Sequence, residues 1–174
     1  MLMIQVEESY LNNLIYISEH DVLTGVLNRY GLKKRIAELF NPEGEGYLCV
    51  VDIDNFKTIN DACGHMTGDL VLRAFGQCLE SITNSSVARL GGDEFFIFVD
   101  GITTEEEVMK EFEALKDRVN AIVIPELGDL KMTFSLGAHY FKGNIDEVKA
   151  IAYTKADKLC YESKKKEGNS VTIA

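Results

Sequence analysis

Positive charge is in short supply in this sequence. Eighteen lysines and arginines stand against 28 aspartates and glutamates, a formal charge of -10 over 174 residues. A surface that holds nucleic acid by broad phosphate attraction shows as a basic stripe, and none is visible here. If the ligand is a nucleotide, its phosphates must be managed locally, by metal ions on carboxylates and a few placed lysines. CxxC pairs are also lacking. The cysteines Cys49, Cys63, Cys78 and Cys160 are scattered through apolar segments, which argues against zinc and fits free thiols in a reducing cytosol. The N-terminal stretch has no basic leader, and nowhere does it sustain the ~18 apolar residues that a membrane span needs. The chain therefore reads as cytoplasmic, without a membrane segment and without a nucleic-acid partner. No repeat or low-complexity linker divides it, and its length suits one globular domain.

Apolar periodicity predicts the elements. Leu11, Leu14 and Ile15 recur at helical spacing within residues 4–19, the pattern of a leading helix. A loop then precedes an amphipathic helix at 32–40, stopped by Asn41-Pro42. Tyr47 to Val51 is a valine-rich run typical of a buried strand. Leu70, Val71, Ala74, Phe75, Cys78, Leu79 and Ile82 form one face of a helix beginning near Asp69. Runs at 87–90 and 95–99 flank Gly91-Gly92-Asp93-Glu94, a hairpin signal. Thr103 or Thr104 ahead of three glutamates is a helix cap with an acidic first turn. A strand at 130–140, a helix at 146–165 and a strand at 170–173 complete the order. Such a mixed order with a central hairpin implies an α+β sandwich, not a doubly wound parallel sheet.

Chemistry gathers where these strands end. Asp52 and Asp54 leave the first strand on one side by its period of two. Either acidic turn alone is as well explained by an ordinary solvated strand end. Two acidic ends meeting in one small sheet can instead hold one or two divalent metals that clamp a triphosphate, and phosphoryl transfer needs that neutralisation. Between them, Lys57 could face a phosphate, while Asn60 and Asp69 could read a base edge. Each has a structural alternative: Asn60 as a cap, Asp69 as the N-cap of the following helix, His65 as a satisfied structural histidine.

Four blocks, DVLTGVLNR, DIDNFKTINDACGHMTGD, RLGGDEFF and ADKLCYESKKKEGN, resemble in order and spacing the signatures of GGDEF diguanylate cyclases over about residues 21–174. The resemblance implies a ferredoxin-like, palm-type sheet flanked by helices, as in class III nucleotide cyclases, with GGDEF on a central hairpin. Residues 1–20 would be a linker or signalling helix and 21–174 the GGDEF domain. The implied reaction condenses two GTP into cyclic di-GMP and two pyrophosphates, with two Mg2+ or Mn2+ per site.

By that resemblance Asp52 and Asp93, helped by the carbonyl of Ile53, would hold the metals. Asp93, or in second place Glu94, would be the base assisting a 3′-hydroxyl. Amides near Asn55 and Phe56, with Lys57 and Lys164, would receive phosphates. Asn60 and Asp69 would select guanine, with His65 in the same substrate-facing stretch. An acidic Asp69 favours GTP, because a site built for two hydrogen bonds rejects a base that leaves its carboxylate unpaired. One site binds one GTP, so two domains would face each other as a homodimer, under an upstream sensory domain outside this chain.

Two departures stand out. Where many family members carry an inhibitory R-x-x-D, this chain has Ile82-Thr83-Asn84-Ser85, which predicts no product inhibition through that site. Where the last block usually ends in glycine, a basic residue and asparagine, this chain has Glu167-Gly168-Asn169. A triphosphate contact is lost unless Lys165 or Lys166 supplies it. The alternative function is a catalytically silent, GTP-binding regulatory module.

Overall fold

A strand buried on both faces organises the molecule. In the computed structural model, which describes residues 2–39 and 43–174 and side chains outside 2–9 and 145–148, β1 (Glu45–Ile53) is the centre of a five-stranded sheet. Its neighbours are β3 (Glu94–Asp100) and β4 (Phe134–Lys142), both antiparallel to it. β2 (Ser85–Gly91) closes one edge beside β3, and β5 (Ser170–Ile173) the other, parallel to β4. A near-continuous apolar run suits a central strand covered on both sides.

Alternation sorts β1 into two faces. Tyr47, Cys49, Val51 and Ile53 join the core beneath α3 (Phe56–Cys63), α4 (His65–Leu79) and α5 (Glu105–Asn120), with Phe75, Phe112 and Leu115. Leu48 and Val50 face the other way, with Phe96, Phe98 and Phe141, beneath α2 (Arg29–Glu38) and α6 (Ile145–Ser163). Asp52 continues that second series, so its carboxylate emerges on the α6 side. Among the described residues, β-α-α-β-β-α-β-α-β follows α2; where the apolar pattern predicts a single helix, near Asp69, between β1 and the hairpin, the structure has α3 and α4.

Several boundaries differ from the sequence expectation for physical reasons. α2 starts at Arg29 because the Asn28 side chain accepts the Tyr30 and Gly31 amides. The expected stop at Asn41-Pro42, like Phe40, lies outside the described residues. α3 and α4 are split at Gly64, whose φ of +86° suits glycine. Asp69 consequently sits inside α4 and does not cap it. β4 begins at Phe134, not Leu130, because the 3-10 turn Pro125–Leu127 continues into a bond from the Leu130 amide to the Leu127 carbonyl. Thr104 caps α5 as expected, its hydroxyl accepting from the Glu107 amide.

α6 lies directly on β4. A Cβ built on Gly137 would stand 2.1 Å from the Ala156 carbonyl oxygen and 2.1 Å from the Cys160 nitrogen, so only glycine admits the helix this close. α1 (Leu2–Glu19) stands apart from the core: Tyr10, Leu11, Leu14, Ile15, Tyr16 and Ile17 are 43–66% exposed. Among the described residues no helix is long and apolar enough to cross a membrane.

Candidate active site

The hairpin between β2 and β3 is the site's most constrained piece of backbone. Pairing runs from Arg89↔Phe95 to Gly91↔Glu94, leaving Leu90 as a bulge and Gly92-Asp93 as the turn. Gly92 takes φ +54°, which glycine supplies without strain. Two arginines hold this turn. Arg29 Nε donates to the Leu90 carbonyl at 2.7 Å, satisfying the group that the bulge frees. Arg89 donates through Nε and Nη2 to the Gly92 carbonyl at 2.9 and 2.7 Å, while its Nη1 meets Asp21 Oδ1 at 3.1 Å. The Asp93 carbonyl in turn accepts from the Ile53 amide at 3.4 Å, fastening the turn to the end of β1.

Asp52 lies directly opposite Glu94 in the β1–β3 pairing, so two carboxylates share one face of the sheet. Facing like charges repel. Each has a different partner, one on α6 and one just past its C-terminal end. Lys164 Nζ meets Asp52 Oδ2 at 3.0 Å, and the Tyr153 hydroxyl donates to Glu94 Oε1 at 2.7 Å. Burial pushes the Asp52 carboxyl up; Lys164 pulls it back, while Asp93 and Asp54 push the same way as burial, leaving it above its ordinary value. Burial works to lower the Lys164 ammonium, but its bond and attraction to Asp52 prevail and hold it above its ordinary value. Burial and the bond to Glu94 push the Tyr153 hydroxyl up to about 12. Asp54 turns elsewhere: its two oxygens accept from the Thr133 hydroxyl at 2.8 Å and the Ser135 hydroxyl at 2.7 Å, tying β1 to β4.

An open cleft of about 530 Å³ runs past Asp52, Asp54, Asn55 and Lys164 to Lys166 and Gly168. A second, lined by Asp52, Glu94 and Lys164, adjoins it on the α6 side. Asn55 precedes α3 in the left-handed conformation, φ 53°, and its side chain does not cap the helix. The first amides of α3, including that of Phe56, therefore lack intrahelical acceptors beside the cleft, a favourable place for an anion. Lys57 is exposed on the first turn of α3, outside the residues lining either cleft. Asn60 packs on α4, where a Cβ at Gly68 would lie 2.0 Å from its Oδ1. Asp69 follows that glycine on α4, exposed, and His65 is the exposed first residue of the same helix. Asp52, Asn55 and Lys164 are thus gathered in one cleft, with Glu94 across the sheet, and Asn60 and Asp69 belong to the neighbouring α3–α4 pair.

The C-terminal departure is now located. Gly168 lines the cleft, as does Lys166, whose ammonium donates to the Thr172 hydroxyl at 3.0 Å. Lys165 points away, paired with Glu162 at 2.7 Å and over the Tyr161 ring. Asn169 is structural: its carbonyl oxygen accepts the Phe134 amide at 3.0 Å and its amide donates to Asn120.

Among the described residues no three acidic, histidine or cysteine side chains converge as a self-sufficient metal cage. The donors present nevertheless suit Mg2+, which is held by one or two carboxylates together with substrate phosphates. Asp52, pushed up by burial and by neighbouring carboxylates, is a carboxylate that a bound cation would relieve.

Sequence reasoning passed over Asp21, Arg29, Arg89 and Tyr153. Asp21 and Thr24 carried a local signal, an acidic side chain bonding the backbone three residues on. Tyr153 carried none, since its partner is 59 residues away.

A mixed sheet with an acidic hairpin beside its middle strand and carboxylates at that strand's end has the palm-type fold of nucleotide cyclases. Residues 18–170 match the family model described as diguanylate cyclase, GGDEF domain, and the chain belongs to that family. It is 34% identical over 161 residues to diguanylate cyclase DosC of Escherichia coli, covering 88% of this chain and 34% of that protein. It is 31% identical to diguanylate cyclase A of Treponema denticola, covering 94% of this chain and 47% of that protein. The chain thus spans between a third and a half of these relatives' length. Among solved structures, the coiled coil and GGDEF domain of DgcB from Caulobacter crescentus, in complex with c-di-GMP, matches with a TM-score of 0.82 at 25% identity, covering 99% of this chain and 94% of that one.

Proposed function

We propose that this domain is a working diguanylate cyclase, condensing two GTP into cyclic di-GMP across a homodimer. The observation that supports this most is the union of Asp52, Glu94 and Lys164 at the end of the central strand, beside the open start of α3. Asp52, the Ile53 carbonyl and Asp93 would hold Mg2+ or Mn2+, two per site. Bound there, the cations would neutralise the triphosphate and acidify the attacking hydroxyl.

The chain's own residues would do the rest. The α3 amides, Lys57 and Lys164 would seat the phosphates, and Lys166 would stand in for the basic residue replaced by Gly168. Asn60 and Asp69 would read guanine, with His65 beside them at the start of α4. Asp93, with Glu94 in second place, would accept the proton as a 3′-oxygen bonds to the α-phosphorus and pyrophosphate leaves. Two such steps close the ring, so two domains must meet. The exposed apolar residues of α1 give a second copy a surface to join. Ile82 is buried in the core, and the Ser85 hydroxyl donates to its carbonyl, so this segment offers no guanidinium to returning product.

Incubation of purified protein with GTP and Mg2+, followed by chromatography, tests the proposal; cyclic di-GMP is the expected product. Retained GTP binding with no product, even in an artificially dimerised fusion, would replace it with the silent regulatory module.

A further inference from the structure

Two active-site carboxylates, Asp52 and Glu94, oppose each other across β1 and β3, and the chain treats them differently. Asp52 has a cation, Lys164, at 3.0 Å, whereas Glu94 has a neutral donor, the Tyr153 hydroxyl at 2.7 Å. A neutral donor orients a carboxylate without cancelling its charge. A glutamate facing another carboxylate across adjacent strands gains by swinging away, and it has the rotamer freedom to do so. A short hydrogen bond to its Oε1 opposes that, being stronger for a charged acceptor than for a neutral one.

Tyr153 is itself packed on β3. Its ring stacks on Phe96 at 6.2 Å and 20°, two residues along β3 from the glutamate it binds. The donor and the backbone of its acceptor are therefore fixed to the same strand. Glu94 lines one cleft with Asp52 and Lys164, and those two residues also line the adjoining cleft at the start of α3, so the oriented charge lies beside the proposed cation and phosphate site.

We infer that Tyr153 is a positioning residue of the active site: from α6 it holds the Glu94 side chain beside Asp52 for divalent-cation binding. This rests on the proposed cyclase function for its catalytic consequence, though not for its metal-binding one.

The test compares wild type with Tyr153→Phe, which keeps the ring and its stack and removes only the hydroxyl. Mn2+ binding is titrated by magnetic resonance, with Mn2+ alone and with a GTP analogue carrying a non-cleavable α,β-bridge. The expected result is an unchanged melting temperature, Mn2+ affinity weakened about tenfold, kcat lowered by a similar factor, and KM for GTP little moved. In a Glu94→Ala background the same change should have little further effect, because the acceptor of the hydroxyl is already gone. Equal Mn2+ affinity in wild type and Tyr153→Phe, or none in wild type, would overturn the inference. So would a lowered melting temperature accompanied by unchanged affinity. Because the Mn2+ titration needs no turnover, absence of cyclic di-GMP from wild type would count against the cyclase proposal alone.

Discussion

Arg89 and Asp21, 68 residues apart in sequence, meet at 3.1 Å, and the same guanidinium grips the Gly92 carbonyl. The segment leaving α1 is thereby joined through one side chain to the turn that presents Asp93. The planar, multi-donor fork of arginine suits holding both ends at once.

Replacing that arginine should loosen both. Arg89→Ala leaves the exposed Gly92 carbonyl to water and the half-buried Asp21 carboxylate with only its Thr24 donors, and is expected to cost about 1–3 kcal/mol of stability. Turnover per folded molecule should fall as well, because the turn carrying Asp93 loses its tether. Denaturant unfolding with parallel product assays would check this; Arg89→Lys should rescue only in part.

Asp21 gives a pH dependence of known sign. Burial acts to raise its carboxyl, but the Thr24 hydroxyl and amide, with Arg89, more than offset this and leave it lowered. A carboxylate lowered in the folded state contributes stability that is present above its unfolded value and lost as pH falls through the folded one. Asp21→Asn should therefore be less stable than wild type near neutrality, and the two unfolding curves should converge below about pH 4. A gap independent of pH would show that the charge is not the cause.

Asp52 should behave oppositely. Its carboxyl is raised on folding, foremost by burial, so its contribution is favourable only below the ordinary carboxylate range and becomes a cost above the folded value. Asp52→Asn is expected to melt no lower than wild type while losing Mg2+-dependent turnover by at least about a hundredfold. A folded, fully active variant would show that the carboxylate assignment is mistaken.

Much of this was legible in the sequence because the informative signals are local. The valine-rich run at β1, the hairpin around Gly92 and the Thr104 cap depend on residues within a few positions of one another. The start of α4 was misplaced because periodicity marks where apolar residues begin, at Leu70, whereas the helix is set by the backbone at Gly64. Lys164 and Asp52 were both candidates, yet their ion pair depends on how α6 lies across the sheet. Arg89 and Tyr153 were invisible for the same reason. Their partners come from other elements, and neither residue belongs to a type that advertises a site on its own.

One hydrogen atom sets the height of that arrangement. With glycine at 137, the axis of α6 settles against β4, and Tyr153 on that helix and Lys164 just past its end reach Glu94 and Asp52. A methyl group there would act as a shim under a beam, lifting both donors together from both acids. The spacing of the catalytic apparatus is thus gauged on a strand that supplies none of the four side chains.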